Sequence, residues 1–386
     1  MLTASRHLLV LICAAVTLTS TAYCILCMWV VVKFARRLHD SLLPSVDLPL
    51  VSVLKPLKGA DPEMYAALRS HCAQDYPVEY EIVFSVNDAR DPAVQVVNKL
   101  IAEFPDRKIR LVVCERRLGA NGKISSLAQL APLAKHDILL VNDSDILVAP
   151  DYLRTVMTEL SRTGLGLVTC LYRGIPGAGL WSKLEALGIS TDFMPGVVAA
   201  QQIERGMRFG LGSTLAFRRG DLEKIGGFAA ITDYLADDYE LGRRIAQLGS
   251  RVELSSQVVA THLPAYDFRG FFSHQLRWAR TVRASRPGGY FGLLLTFTLP
   301  WALAVLLICP GITATFLFAV AVIARFVMAG ASTTILLGDR KALRWLWLLP
   351  VRDLLAVVIW FAGCFGRQII WRGERFTLER GKLIPS

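Results

Sequence analysis

Nowhere in the 386-residue chain do basic residues interleave with aromatics in a run, no segment repeats, and none is of low complexity. The first absence puts nucleic acid last among anionic partners, and the other two exclude repeat architectures and compositionally biased segments. Cysteine spacing of the metal-binding kind is missing too. Eight cysteines are scattered, and the one C-x-x-C, Cys24 to Cys27, lies inside an apolar block with no histidine or second pair nearby. All eight read as small hydrophobes, which suggests a reducing compartment for the polar domain. Charge is sparse at 19%, against 53% hydrophobic residues and a mean hydropathy of +0.42, both high for a soluble protein. The formal net charge of +11 suits phosphates or a membrane surface, and the basic residues gather beside the apolar blocks, which favours membrane. The length suffices for one large or two ordinary domains.

The apolar residues are concentrated in a few long blocks. Residues 7–32 are apolar throughout and long enough to cross a bilayer, and Lys33, Arg36, Arg37 and His39 follow. A cleaved leader would carry its charges before a shorter apolar core. The block therefore reads as a retained anchor whose C-terminal side faces the cytoplasm. Apolar blocks return at about 291–310, 312–337 and 344–365, interrupted by Pro300 and Pro310, by Arg325, and by Pro350, Arg352 and Asp353. The tail holds Arg367, Arg372, Arg375, Arg380 and Lys382, which by the same charge rule stay inside. An even number of C-terminal crossings satisfies both ends. The expectation is that 291–310 and 312–337 cross, while 344–365 re-enters or lies along the cytoplasmic interface. The domain organisation is then an anchor (1–40), a cytoplasmic catalytic domain (41–288), C-terminal membrane segments (289–366) and a basic tail (367–386).

Between anchor and membrane blocks, short apolar strands alternate with helix-like stretches. Strands are expected at 50–54, 80–86, 109–114 and 137–141. Helices are expected at 62–72, opened by Asp61 and Pro62, at 92–104, and at 124–133. This rhythm predicts an α/β, doubly wound parallel sheet, whose ligands bind at the carboxyl ends of strands. Three polar groups fall at such ends: Asp88 with Asp91, the loop Asn121-Gly122-Lys123, and Asp143 with Asp145.

Asp143-Ser144-Asp145 is the first candidate. Two carboxylates facing the same way repel unless a cation lies between them. Hard Mg²⁺ or Mn²⁺ prefers such oxygen ligands and completes its shell with substrate phosphates. An Asp-rich helix-capping loop would look the same. In "LADDYELGRRI", Asp238 suits a general base that takes a proton from an acceptor hydroxyl, although acids also favour a helix N-terminus. Lys123 could meet a phosphate, or mark an ordinary Asn-Gly turn. His274, Gln275, Arg277 and Trp278 precede the membrane blocks. Arg pairs with phosphate and Trp stacks or lies at a bilayer interface, while Arg277, Arg280 and Arg283 also read as a stripe facing lipid phosphates.

Taken together, "VSVLKPLKGADP", "FSVNDARDPA", "LGANGKISSL", "VNDSDI", "LADDYELGRRI" and "HQLRWARTVR" resemble, in order and spacing, the ceramide glucosyltransferases and their bacterial relatives of glycosyltransferase families 21 and 2. Those relatives include the glycosyltransferases associated with hopanoid biosynthesis. The resemblance runs from about Val51 to Arg283. It implies a GT-A nucleotide-diphospho-sugar transferase fold, Rossmann-like, flanked by N- and C-terminal transmembrane helices. It also implies inversion at the anomeric carbon, a UDP-sugar donor and a lipid hydroxyl acceptor. By motif match Asp91 is expected near the nucleotide, Asp143 at the metal and diphosphate, and Asp238 as the base. Arg277 and Trp278 match the closing Arg-Trp. Two positions depart from the family pattern. His274 stands where Gln or Arg is usual, with Gln275 one position on as a substitute. Asp145 stands where the animal enzymes carry a non-acidic residue, which strengthens the metal reading.

The reading is a multi-pass membrane enzyme, in a bacterial inner membrane, that transfers glucose from a UDP-sugar to ceramide. N-acetylglucosaminyl transfer to a hopanoid is the rival. Ligands are assigned as Asp143 and Asp145 to Mg²⁺ or Mn²⁺, and Asp91, Lys123, Asp143, Gln275, Arg277 and Trp278 to the donor. A membrane transport component with a nucleotide-binding domain is the rival of another class, but it leaves Asp238 without a task.

Overall fold

The computed structural model describes residues 2–40, 47–61, 63–371 and 373–385, and of residues 2–4 and 37–40 the backbone alone. Pro62, Arg372 and the side chains of Arg37 and His39 lie outside the described part. The chain forms two compact units, each discontinuous in sequence.

The first unit gathers Ser41–Ile175, Glu204–His262 and Arg375–Ser386. Its sheet has eight strands: β1 (Val51–Pro56), β2 (Tyr80–Val86), β3 (Lys108–Val113), β4 (Ile138–Val141), β5 (Ile146–Leu147), β6 (Leu165–Pro176), β7 (Leu215–Arg218) and β8 (Arg251–Leu263). Their spatial order is β3-β2-β1-β4-β7-β6-β8-β5. β1 and β2 are buried almost throughout, which is why they read as continuous apolar runs and not as an alternation. The helices Met64–Cys72, Ala93–Glu103 and Gly122–Leu130 fall between the strands as the sequence rhythm predicts. The first opens without a side-chain cap. Glu63 stands at its N-cap position, and Asp61 contributes its carbonyl to Met64 N–H (3.0 Å).

The expected parallel sheet describes half of what is found. β3, β2, β1 and β4 are parallel, with Val51 opposite both Tyr80 and Ile138. From β4 onward the neighbours are antiparallel: β4 with β7, β6 with β7, and β5 with β8. The strand order turns back between β1 and β4. This switch point is where an open α/β sheet leaves a crevice beyond its carboxyl edge. β7 pairs Leu215 with Val141, so the glycine-rich chain just before β7 lies beside the end of β4.

The second unit gathers Met1–Asp40, Pro176–Ile203 and Leu263–Glu374, so residues 176–203 and 263–288 cluster with the apolar helices. Among the described residues three helices are long and apolar enough to cross a membrane: Ser5–Arg36, Ile312–Leu336 and Arg340–Gly363. A fourth candidate, Pro287–Thr296 with Thr298–Ile308, is bent by 49°. The N-terminal helix packs closely on its neighbours through small residues. Thr17, Ser20 and Thr21 are buried and return their hydroxyls to their own helix, and Cys24 meets the Thr298 hydroxyl at 3.3 Å. Cys24 and Cys27 are indeed buried small residues, but Cys309 is exposed.

The charges that interrupt the apolar blocks are paired with one another. Arg325 donates from Nε and Nη2 to both oxygens of Asp353 (2.9 and 2.7 Å), from Nη2 to Asp192, and from Nη1 to the Thr191 carbonyl (2.8 Å). Asp353→Ala leaves this buried guanidinium short of its bidentate partner. Breaking a buried pair costs about 3–5 kcal/mol. The detergent-solubilised variant is expected to lose its folded, monodisperse state at a clearly lower temperature than the parent, and an unchanged midpoint would contradict the pairing.

Candidate active site

The site grows from the end of β4. Asn142 is fully buried, and its amide donates to Tyr152 Oη (2.8 Å) and the Ser213 carbonyl (2.9 Å). This locks the turn in which Asp143 N–H donates to the Gly212 carbonyl (3.2 Å). Asp143 then projects a half-exposed carboxylate, whereas Asp145 turns toward β8 and accepts the Thr261 hydroxyl at Oδ2 (2.6 Å). The two acids therefore face different partners. Burial and the Asp143 charge raise the Asp145 carboxyl above its ordinary range, and the Thr261 hydrogen bond opposes them.

Lys123 lies in the first turn of the helix Gly122–Leu130, capped by the Asn121 side chain on Ile124 N–H. The Asn121 amide also reaches the Tyr234 carbonyl (2.8 Å), tying this turn to the loop before the helix Asp237–Gln247. Lys123 Nζ consequently sits 2.8 Å from Asp143 Oδ1 and 2.8 Å from Asp237 Oδ2. Burial alone lowers a lysine. Here the charges of Asp143, Asp237 and Asp238 outweigh it and hold the ammonium well above its usual range.

Asp238 is oriented by main chain on both oxygens: Gly212 N–H donates to Oδ2 (2.7 Å) and Tyr239 N–H to Oδ1 (2.8 Å). Burial pushes its carboxyl up to about 6; Asp237 adds to the shift and Lys123 opposes it. The approach depends on missing side chains. A Cβ on Gly212 would stand 2.7 Å from Asp143 Oδ2 and 3.5 Å from Asp238 Oδ2, and one on Gly242 would stand 2.2 Å from the Gly210 nitrogen. The glycines of "FGLGS" and "ELGRR" are thus what lets the Asp238 helix lie against the β4 edge.

One contributor escaped the sequence reading, and another was visible there only as a neighbour of Asp238. Lys55, at the end of β1, is completely buried beneath the acids and donates to the Asp143 carbonyl (3.1 Å). Burial lowers it to about 7 despite the opposing charges of Asp145 and Asp143. A lysine in an otherwise apolar strand was its one visible signal. Asp237, set beside Asp238 in the sequence, joins Asp143 in meeting Lys123.

Asp91 lies in the same unit, but its carboxylate is engaged by main chain: Gly59 N–H donates to both oxygens (3.0 Å each) and Ala93 N–H to Oδ1 (2.9 Å). It pins the loop after β1, where Gly59 takes a positive φ of 71°. Gln275, Arg277 and Trp278 belong to the other unit, on the helix Phe268–Ser285. There His274 Nδ1 stands 3.0 Å from the buried Glu185 carboxylate, and its ring lies against Tyr266 and Trp278. The expected lipid-facing arginine stripe is not what forms. Arg280 and Arg283 donate to the carbonyls of Gly363, Phe365, Gly366 and Gln368, because a helix end with unpaired carbonyls lies beside them.

The fold and the sequence both have relatives. A mannosyltransferase from Pyrobaculum calidifontis, solved with GDP-Man and Mn²⁺, superposes with a TM-score of 0.53 over 91% of this chain and 97% of its own, at 21% identity. That likeness is one of fold, the GT-A fold. Ceramide glucosyltransferase 1 of Caenorhabditis elegans is 25% identical over 252 residues, covering 65% of this chain and 53% of the relative. Ceramide glucosyltransferase 3 of the same organism is 27% identical over an equal length, covering 65% and 54%. The chain thus spans about half the length of these curated relatives. The model of glycosyl transferase family 21 matches residues 9–384, nearly the whole sequence, and the chain belongs to that family.

Proposed function

We propose that the protein is a membrane-bound, inverting glycosyltransferase that moves glucose from UDP-glucose to the hydroxyl of a ceramide. The observation that carries this reading is the group of Asp143, Asp237, Asp238 and Lys123 around Gly212 at the sheet's carboxyl edge. The names of the matched relatives point to the acceptor and the sugar.

Direct displacement at a sugar carbon needs one base to take the acceptor proton, and Asp238 suits it. Two main-chain N–H groups fix its carboxylate, and a pKa near 6 makes it a stronger base than an ordinary aspartate while leaving it mostly ionised at neutral pH. Lys123 brings a cation to the place where a diphosphate would lie, and Asp91 shapes the loop on the nucleotide side. Gln275, Arg277 and Trp278 keep their assignment to the donor through the motif match.

A divalent cation fits the residues present. Asp143 keeps a carboxylate 44% exposed, Asp145 offers a second hard oxygen, and Gly212 leaves open the space beside Asp143 Oδ2. Among the described residues no three His, Cys, Asp or Glu side chains cluster as a metal cage. Mg²⁺ and Mn²⁺ take one or two carboxylates and fill their shell with phosphate and water. Such an ion supplies charge stabilisation to the departing diphosphate.

Contacts within the apolar unit support a topology with the catalytic part and the tail on the cytoplasmic side of a bacterial inner membrane. Thr298 touches the Ser20 carbonyl of the N-terminal helix, and Arg6 near its start holds the Ile308 carbonyl (2.6 Å). The bent pair thus runs to the anchor's outer end. Cys13, Val305 and Ala314 pack together there, so Ile312–Leu336 starts at that end and returns. Arg340–Gly363 follows this return and finishes where Arg283 holds the Gly363 carbonyl (2.6 Å) and Tyr290 faces Trp360, beside the start of the bent pair. These contacts favour a last block that re-enters or lies along the cytoplasmic interface over one that crosses.

Three outcomes follow. Asp238→Asn keeps the shape but cannot accept a proton, so UDP release with ceramide should fall by about 10²–10⁴ with the donor KM retained; general-base assistance is worth that much. Turnover within threefold of the parent would remove the assignment. Activity should vanish in EDTA and return with Mg²⁺ or Mn²⁺, and Asp143→Ala should cost more than Asp145→Ala, whose carboxylate is committed to Thr261. Full activity in chelator would make the acids structural. In right-side-out membrane vesicles an impermeant thiol reagent should label exposed Cys309 and leave Ile384→Cys unlabelled; labelling at 384 would mean that the last block crosses.

A further inference from the structure

We propose that Asp192 and Arg352 form a subsite in the apolar unit for the neutral polar head of the acceptor lipid. The inference rests on the lipid-acceptor reading above and names where that lipid is held. Asp192 lies in the π-helical turn Ile189–Phe193, a local widening between the helices Leu180–Gly188 and Met194–Ile203. Such turns are uncommon and recur at functional sites. Arg352 lies near the start of the helix Leu349–Gly363.

The charges of this unit sort into a clamp and a remainder. Arg325 is satisfied: Nε, Nη1 and Nη2 all donate, to Asp353, Asp192 and the Thr191 carbonyl. That is a structural arrangement. Arg352 is different. Its side chain is 90% buried, with 10% left exposed, and it forms an ion pair with Asp192 Oδ2 at 3.5 Å. Its Nε and Nη1 are buried and have no hydrogen-bond partner, and Asp192 Oδ2 beside them has none either. Buried donors of this kind are rare because each forfeits its hydration, and a guanidinium in apolar surroundings forfeits most. Two donors and one acceptor therefore stand unfilled side by side.

The pair is shaped and borders the surface: the Asp192 side chain is 35% exposed, while its Oδ2 is buried with the Arg352 nitrogens. Gly188 has no side chain where a Cβ would lie 2.5 Å from the Arg352 Nε, so the guanidinium lies flat on the helix there. The next residue, Phe193, rests against Trp278 of the Arg-Trp motif. The unfilled groups define the ligand. It must accept hydrogen bonds from a guanidinium edge and donate one to a carboxylate, and the adjoining Asp192 and Asp353 carboxylates disfavour a second anion. A neutral lipid head with a carbonyl or hydroxyl acceptor next to a hydroxyl or amide donor meets this. A ceramide amide-diol does so, as does a lipid polyol.

The test uses the full chain in nanodiscs with a short-chain ceramide as probe. Asp192→Asn and Arg352→Gln should each raise the acceptor KM about tenfold, the cost of one charge-assisted hydrogen bond, while the donor KM and donor hydrolysis without acceptor stay as in the parent. An unchanged acceptor KM overturns the subsite, and so do donor and acceptor KM values that rise together while thermal stability falls, the mark of a structural role. A second measurement needs no variant: a photoreactive ceramide on the parent protein should label residues 188–194 or 349–353, and labelling confined elsewhere refutes the proposal. Competition by unlabelled ceramide or by a neutral polyol lipid tells the two sources apart. If the parent transfers sugar to neither lipid, the functional reading fails, while the photolabelling still decides whether this site binds a lipid head.

Discussion

Four carboxylates crowd the carboxyl edge of the sheet, and the arrangement stands because Lys123 lies between them. Its ammonium is 2.8 Å from both Asp143 and Asp237. In a poorly solvated place, like charges cannot all stay ionised unless opposite charge intervenes. Lys123 supplies it at the surface of the cluster and Lys55 beneath it. The remaining strain is visible in Asp145 and Asp238, whose carboxyls are both raised. The raised Asp238 carboxyl, which suits the base proposed above, thus follows from the same crowding that concentrates negative charge at this edge.

That crowding is permitted by backbone and by glycine. β4 is held between parallel β1 and antiparallel β7, so its end meets the chain just before β7. Gly212 donates to Asp238 and accepts from Asp143, and it leaves no Cβ in the gap between their carboxylates. A rigid edge with small residues at the contact points holds acids closer than flexible side chains would. This is preorganisation: the protein has met the cost of bringing the charges together before substrate arrives.

The apolar unit obeys the same electrostatics under a stricter condition, since little water is at hand. Arg325 and Asp353 solve it by complete mutual pairing, and Arg280 and Arg283 by capping the carbonyls that end the helix Leu349–Gly363. Charges that look disruptive in an apolar block are therefore partners across the unit. Where the pairing is incomplete, at Arg352, the same rule turns an unmet donor into a place for a ligand.

The sequence alone determined the elements and the chemistry that depends on local order. Its alternation of short strands and helices, the acids at the end of β4, the pair Asp237-Asp238 and the apolar blocks all report a period or a neighbour within a few residues. Those are set by side-chain direction along a strand or helix and by burial. Only the tertiary structure decided which charges meet. Lys123 lies 114 positions before Asp237, and Arg325 lies 133 after Asp192; nothing local ties either pair. It also decided that the second half of the sheet runs antiparallel, that Lys55 is buried beneath the acids, and that Arg280 and Arg283 cap a helix. Two physical reasons cover these outcomes. A buried charge must find its partner wherever the fold brings one, and a short strand such as β7 takes its direction from its neighbours rather than from its own four residues.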